Sequence, residues 1–176
     1  MTTFLEFIGK PPSIGAVKRG KAPVTCVSFH EDGDHLFVAS AEDARLRLVD
    51  CIKGTSDRAA TRCETSGVRI VEATHDKYSV LIAGEGKEIP HTHAVTYLSV
   101  YDNAILRIFR GHLSKVTNIS MSPTDDRFLS TSEDRTVRLW NLQQPGCIAM
   151  IPFLSGTGTS ITCSPPNACF DSTGLV

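Results

Sequence analysis

The stretch Ser132-Glu133-Asp134-Arg135-Thr136-Val137-Arg138-Leu139-Trp140-Asn141-Leu142 ends one strand, turns on an acidic pair and runs through a second strand. Upstream, Val116-Thr117-Asn118-Ile119-Ser120-Met121 reads as a first strand, Thr124-Asp125-Asp126 as a polar turn and Phe128-Leu129-Ser130-Thr131-Ser132 as the next strand. The strands are short, rich in β-branched and apolar residues, and bounded by Asp and Pro. The same order occurs once more, earlier in the chain. There Val24-Thr25-Cys26-Val27-Ser28-Phe29 is followed by a turn at Glu31-Asp32-Gly33-Asp34, then Leu36-Phe37-Val38-Ala39-Ser40, Glu42-Asp43 and Leu46-Arg47-Leu48-Val49-Asp50.

Between the two copies lies a third with a blurred pattern. Val68-Arg69-Ile70-Val71, Ser79-Val80-Leu81-Ile82-Ala83 and Val95-Thr96-Tyr97-Leu98-Ser99-Val100 supply its strands, with a polar loop from Gly84 to His93. Ile105-Leu106-Arg107-Ile108-Phe109 makes an outer strand leading to Gly111-His112. A fourth copy begins near Ser160, with Ala168-Cys169-Phe170 and a turn at Asp171-Ser172-Thr173-Gly174. No stretch carries a helical period over a helix length.

Four short strands per unit of roughly 40–45 residues is the pattern of a β-propeller. The expected fold is therefore all-β, with about three and a half to four blades of a seven-bladed ring. The expected division is residues 1–20 as an extension or outer strand, then 21–66, 67–112 and 113–158 as blades, and 159–176 as the start of another. A chain of 176 residues supplies only part of such a ring, so it is expected to be the N-terminal portion of a longer protein.

The third unit carries the most specific residues. Gly111-His112 precedes its first strand, Asp134 closes the turn after the second, and Trp140 lies near the end of the third. This resembles the WD-repeat family, in which His, turn Asp, a strand hydroxyl and Trp form a buried hydrogen-bonded network. His112, Asp134 and Trp140 match by position, and Ser130 or Ser132 supplies the hydroxyl. A buried imidazole and carboxylate each require a partner, which is why such residues occur together. Asn141 stands where the family usually has Asp, and the first unit has Val49 in place of Trp and no Gly-His before Val24.

The order of features is also similar to that of the propeller subunits of COMPASS-type histone lysine methyltransferase complexes. That family is found with phosphatase-1 and cleavage–polyadenylation assemblies as well. The matching stretches are Val49-Asp50-Cys51, Val68 to His75, Tyr97 to Asn103, Ile108 to His112, Ser120-Met121-Ser122-Pro123, Ser132 to Leu142 and, weakly, Cys169-Phe170-Asp171. Met1 to Gly20 and the Ser155–Ser160 insert do not match. The resemblance implies a nuclear scaffold without catalysis or cofactor. It would serve a chromatin-modifying or RNA 3′-end-processing and transcription-termination complex linked to RNA polymerase II. The implied partners are methyltransferase or phosphatase-scaffold subunits and the phosphorylated polymerase tail, with no direct sequence-specific nucleic acid contact and no membrane. The alternative is another WD adaptor, such as a cullin ubiquitin-ligase substrate receptor. Those often carry Trp-Asp-x-Arg, whereas this chain has Trp140-Asn141-Leu142-Gln143.

Composition agrees with a binding module. The formal net charge of -1 gives no field that would draw the chain onto nucleic acid or an anionic membrane. The six cysteines, Cys26, Cys51, Cys63, Cys147, Cys163 and Cys169, form no C-x-x-C pair, and several lie in apolar runs where a thiol acts as a small buried hydrophobe. Reduced thiols in the cytosol or nucleus are expected.

Candidate chemistry reads as structure. Gly84-Glu85-Gly86-Lys87 has Leu81 and Glu88 where a phosphate loop needs Gly and Ser or Thr. His91 and His93 flank Thr92 without the further ligands that zinc requires. Ser130, His112 and Asp134 can be written as a catalytic triad, but in this fold the trio is expected to be buried. The remaining candidate is a rim. Lys21, Arg45, Lys115 and Arg135 fall beside first strands or in the turns after second strands, which share one face of a propeller. A positive rim there suits an acidic or phosphorylated peptide.

Overall fold

The computed structural model describes residues 23–53, 55–56, 61–63, 67–85, 92–153 and 167–173, and among these every regular element is a strand. The first sheet contains β1 (Cys26–Phe29), β2 (His35–Ser40) and β3 (Arg45–Asp50). Two short strands, β4 (Thr55–Ser56) and β5 (Thr61–Arg62), both pair with the free side of β3. The second sheet is β6 (Ile70–Ala73), β7 (Ser79–Glu85), β8 (Thr92–Ser99) and β9 (Ala104–Phe109). The third is β10 (Val116–Met121), β11 (Arg127–Ser132), β12 (Thr136–Asn141) and β13 (Ala149–Pro152). All pairings are antiparallel between successive strands, with the doubled outer strand of the first sheet as the exception. These are three propeller blades.

The blades stack face to face, and β7 shows how the sequence achieves it. Successive side chains of a strand point to opposite faces. Val80 and Ile82 enter the core shared with the first blade, beside Phe37, Leu46 and Leu48. Leu81 and Ala83 enter the core shared with the third, beside Phe109, Phe128 and Trp140. A strand covered on both faces has no polar side, which is why Ser79-Val80-Leu81-Ile82-Ala83 is apolar without alternation.

The inner strands are stitched across blades at a near-constant step. The Ala73 amide donates to Ser28 Oγ at 3.0 Å, across 45 residues. The Met121 amide donates to Glu72 Oε1 at 3.3 Å, across 49. Asn118 Nδ2 donates to Asn167 Oδ1 at 2.9 Å, also across 49. Residues 167–168 thus lie against β10 as β10 lies against β6.

Several expectations are corrected. The polar loop read as Gly84 to His93 is shorter, because β7 continues through Glu85 and β8 starts at Thr92. The first strand of the second blade is shifted to Ile70–Ala73. Val68, read as its first residue, instead lies with Gly67 against the end of β7. The described cysteines, several of which were read as small buried hydrophobes, range from buried to exposed. Cys63 is buried, and burial pushes its thiol up to about 11, whereas Cys147 and Cys169 are exposed. The outer strand β13 is exposed along its whole length, so it has no buried alternation for a sequence reading to find. Among the described residues no helix is long and apolar enough to cross a membrane.

Candidate functional site

The polar chain of the third blade starts at its best buried aromatic. Trp140 is fully buried against Phe109 and Phe128. Its indole Nε1 donates to Ser130 Oγ at 2.8 Å. Ser130 Oγ lies 2.7 Å from His112 Nε2, and His112 Nδ1 lies 2.9 Å from Asp134 Oδ2. Because indole N–H can only donate, the Ser130 hydroxyl is left to donate to Nε2, and the imidazole carries its own hydrogen on Nδ1 toward Asp134. A neutral His112 thus satisfies every group in the chain.

Ser130 and Ser132, both open as the network hydroxyl from sequence, take different places. Ser130 bridges Trp140 and His112. Ser132 Oγ donates to the Ser114 carbonyl at 3.0 Å and accepts from the Asp134 amide at 3.1 Å, which fixes the acidic turn to the approach of β10.

Electrostatics match this arrangement. Burial holds His112 below its ordinary value, against the pull of the Asp134 carboxylate. Burial pushes Asp134 up, but the Thr136 hydroxyl, the Leu113 amide and His112 outweigh it and bring the carboxyl down to about 2. The trio has the connectivity of a Ser-His-Asp triad, yet Ser130 is 0% exposed and its oxygen is already engaged by Trp140. A substrate carbonyl has no route to it.

Gly111 contributes through its lack of a side chain. A Cβ there would stand 2.6 Å from Arg138 Nη1 and 3.2 Å from Trp140 Cη2. Gly84, read from sequence as part of a phosphate-loop-like motif, is a packing residue. A Cβ on it would meet the Gly67 carbonyl carbon at 2.7 Å, and Gly67 itself has φ of +66°. Gly86, Lys87, Glu88 and His91 of the same stretch lie outside the described residues.

The rim candidates are distributed as follows. Lys21 lies outside the described residues. Arg45, the first residue of β3, has Nε 3.9 Å from Asp43 Oδ2, and Arg47 Nη2 approaches the same oxygen at 3.3 Å. Lys115 forms an ion pair with Glu85 of the neighbouring blade, which lowers the Glu85 carboxyl and raises the Lys115 ammonium. Arg135 is exposed at the tip of the acidic turn, with φ of 64°. Arg45 and Lys115 are therefore partly neutralised by local carboxylates, a fact invisible in sequence because Glu85 and Lys115 are distant along the chain. On this rim a cleft of about 440 Å³ opens between the first two blades, lined in part by Glu42, Asp43, Gly67, Arg69 and Glu85. Arg69 is exposed there and was not singled out by the sequence reading. No grouping of three or more His, Cys, Asp or Glu suited to a metal occurs among the described residues.

Comparison with known proteins places these features in context. The WD domain, G-beta repeat family matches residues 14–50 and 103–141. WD repeat-containing protein 82 of Drosophila melanogaster is 33% identical over 153 residues, covering 87% of this chain and 44% of that protein. Set1 complex component swd2 of Schizosaccharomyces pombe is 35% identical over 153 residues, 87% of this chain and 39% of that protein. Protein ANTHESIS POMOTING FACTOR 1 of Arabidopsis thaliana is 37% identical over 173 residues, 98% of this chain and 45% of that protein. The chain thus spans less than half the length of each of these curated relatives.

Proposed function

We propose that this chain, which is a WD-repeat protein, acts as a non-catalytic scaffold subunit of a nuclear chromatin-modifying complex of the histone lysine methyltransferase type. The observation that carries this reading is the 35% identity, over 87% of the chain, to a protein named as a Set1 complex component. The chemistry of the site supports it. The His112–Ser130–Asp134 trio is spent on internal hydrogen bonds, so what the blades offer a partner is surface.

Within this reading, the partners are methyltransferase or phosphatase-scaffold subunits and the phosphorylated tail of RNA polymerase II. Through that tail the complex is linked to 3′-end processing and termination. The rim that carries Arg45, Lys115 and Arg135, to which the sequence pattern adds Lys21, is the surface assigned to an acidic or phosphorylated segment, where Arg can bind bidentately.

Affinity capture of the native full-length protein from nuclear extract tests the reading. Co-purification of a SET-domain methyltransferase or a phosphatase-1 scaffold is the expected result. Recovery of a cullin adaptor instead, with neither of those assemblies, would contradict it.

A further inference from the structure

The turns after the three inner strands lie together on the rim away from Gly111-His112, and one imidazole touches all three. His75, in the turn after β6, places Nδ1 2.9 Å from Glu31 Oε2 in the turn after β1. Its Nε2 lies 3.1 Å from the Asp125 carbonyl in the turn after β10. The His75 carbonyl in turn lies 3.4 Å from His30 Nε2. Blades 1, 2 and 3 are therefore joined through one side chain.

Both ring nitrogens face acceptors, the Glu31 carboxylate at Nδ1 and the Asp125 carbonyl at Nε2, and the Ser122 carbonyl lies near the ring as well. A neutral imidazole has one N–H and can satisfy one of them, whereas the imidazolium has two and satisfies both. We propose that His75 is a proton-operated bolt, closed across three blades when the His75–Glu31 pair holds a proton and released from one neighbour when it loses it. The surrounding charges leave Glu31 as the controlling group. Asp125 directs its carboxylate to Arg127 Nε at 2.6 Å, leaving only its carbonyl for His75. The Asp76 carboxylate is occupied by the Tyr78 amide and the Ser79 hydroxyl. Asp32 is shared by His30 and His35, Lys77 lies over the Tyr78 ring, and the Asp126 carboxylate accepts from Gln143.

The Glu31 hydrogen bond raises His75 above 6.5, against the opposing effect of burial, and the Asp125 and Ser122 carbonyls add to the rise. A group raised on folding stabilises the fold fully below its unfolded value of 6.5 and ceases to do so as pH climbs through the folded value. The bolt is therefore closed below 6.5 and loosens as pH climbs through the raised folded value, opposite in sign to the acid sensitivity of the third-blade network.

NMR titration of the imidazoles in the full chain tests this directly. His75 is expected to titrate with a midpoint above 6.5, and Glu31→Gln, at a side chain 61% exposed, is expected to lower that midpoint without unfolding the protein. Hydrogen exchange of the His30, Ser79 and Ser122 amides, corrected for intrinsic rate, should quicken as pH passes the midpoint in the wild type. That step should be missing in His75→Gln. A His75 midpoint at or below 6.5, or one unmoved by Glu31→Gln, would overturn the proposal. So would amide exchange in His75→Gln that keeps the wild-type step.

Discussion

The first and third blades use the same acidic turn, Glu42-Asp43-Ala44 and Glu133-Asp134-Arg135, and reach different chemistry with it. Both turns place the residue after Asp in the left-handed region, Ala44 at φ 49° and Arg135 at φ 64°. Strand registers make the comparison residue by residue. Val38 pairs with Arg47 where Ser130 pairs with Arg138, and Leu36 pairs with Val49 where Phe128 pairs with Trp140. The first blade has therefore exchanged both the hydroxyl and the indole for valines. Replacing both partners of a buried hydrogen bond with apolar groups is close to neutral, whereas replacing one strands the other. Asp43 has stayed behind. Its Oδ2 turns to Arg47 and Arg45, and its buried Oδ1 has no hydrogen-bond partner among the described residues. In the third blade the equivalent Asp134 is fully engaged by His112, Leu113 and Thr136. A turn carboxylate is thus worth what its surroundings supply, and sequence identity at that position does not by itself make a network.

This contrast can be broken hardest at Trp140. Trp140→Ala should cost about 3–5 kcal/mol, because a large, fully buried ring is lost and Ser130 is left short of a donor. Val49→Ala, at the equivalent place, should cost clearly less. Urea denaturation midpoints of the two variants provide the comparison.

The second blade has Ile82 and Leu98 in place of the hydroxyl and the indole, and at its rim the Gly67 and Gly84 backbones come into close contact. Gly84→Ala must push the Gly67 backbone away and should cost about 1–3 kcal/mol. An unchanged thermal midpoint would show that this seam yields easily.

The two turn aspartates sharpen the contrast. Asp134→Ala strands His112 and the Leu113 amide and should cost about 1–3 kcal/mol. Asp43→Ala removes a buried Oδ1 without a partner along with the Oδ2 contacts to Arg47 and Arg45, so it should cost clearly less than Asp134→Ala.

Acid should act on the third blade in two stages. His112 is held below 6.5 on folding, so its contribution is complete above 6.5 and fades as pH falls beneath that value. Asp134 is held at about 2 against 3.8, so its contribution is present above 3.8 and is lost between 3.8 and about 2. Asp134→Asn should diminish the lower stage in a melting series across pH, with the remainder belonging to carboxyls such as Asp32, Asp50 and Asp125 that are also held low. An undiminished stage would place it wholly at those other carboxylates.

The smallest stability effect belongs to the rim. Reversing Lys21, Arg45, Lys115 and Arg135 together should weaken capture of an acidic or phosphorylated peptide, and the loss should be larger at low salt. Each change away from a packed site is expected to move stability by no more than about 0.5 kcal/mol. Unaltered peptide capture would count against the rim as the binding surface.

Much of this was legible in the chain. The repeated strand, turn, strand pattern locates β2, β3, β11 and β12 because their inward residues are apolar and their turns acidic. His112, Asp134 and Trp140 stood out by their resemblance to the buried network of WD repeats. The choice between Ser130 and Ser132 did not, since both sit on β11 two residues apart and point to the same face. The outer strands of the first and third blades were invisible because β4 and β5 are two residues each and β13 buries nothing. Arg69, Glu85 and His75 escaped notice for a common reason. Their roles depend on turns that the stacking of blades brings together, and no local pattern encodes that proximity.

The measurement that bears most directly on the third-blade network is a double-mutant cycle between His112→Ala and Asp134→Ala, read as urea midpoints. If the two act as parts of one buried chain, the second substitution should cost much less once the first is present, with a coupling of about 0.5–3 kcal/mol. Strictly additive losses would mean that each is held independently, and that the hydrogen bond joining them contributes nothing to the blade.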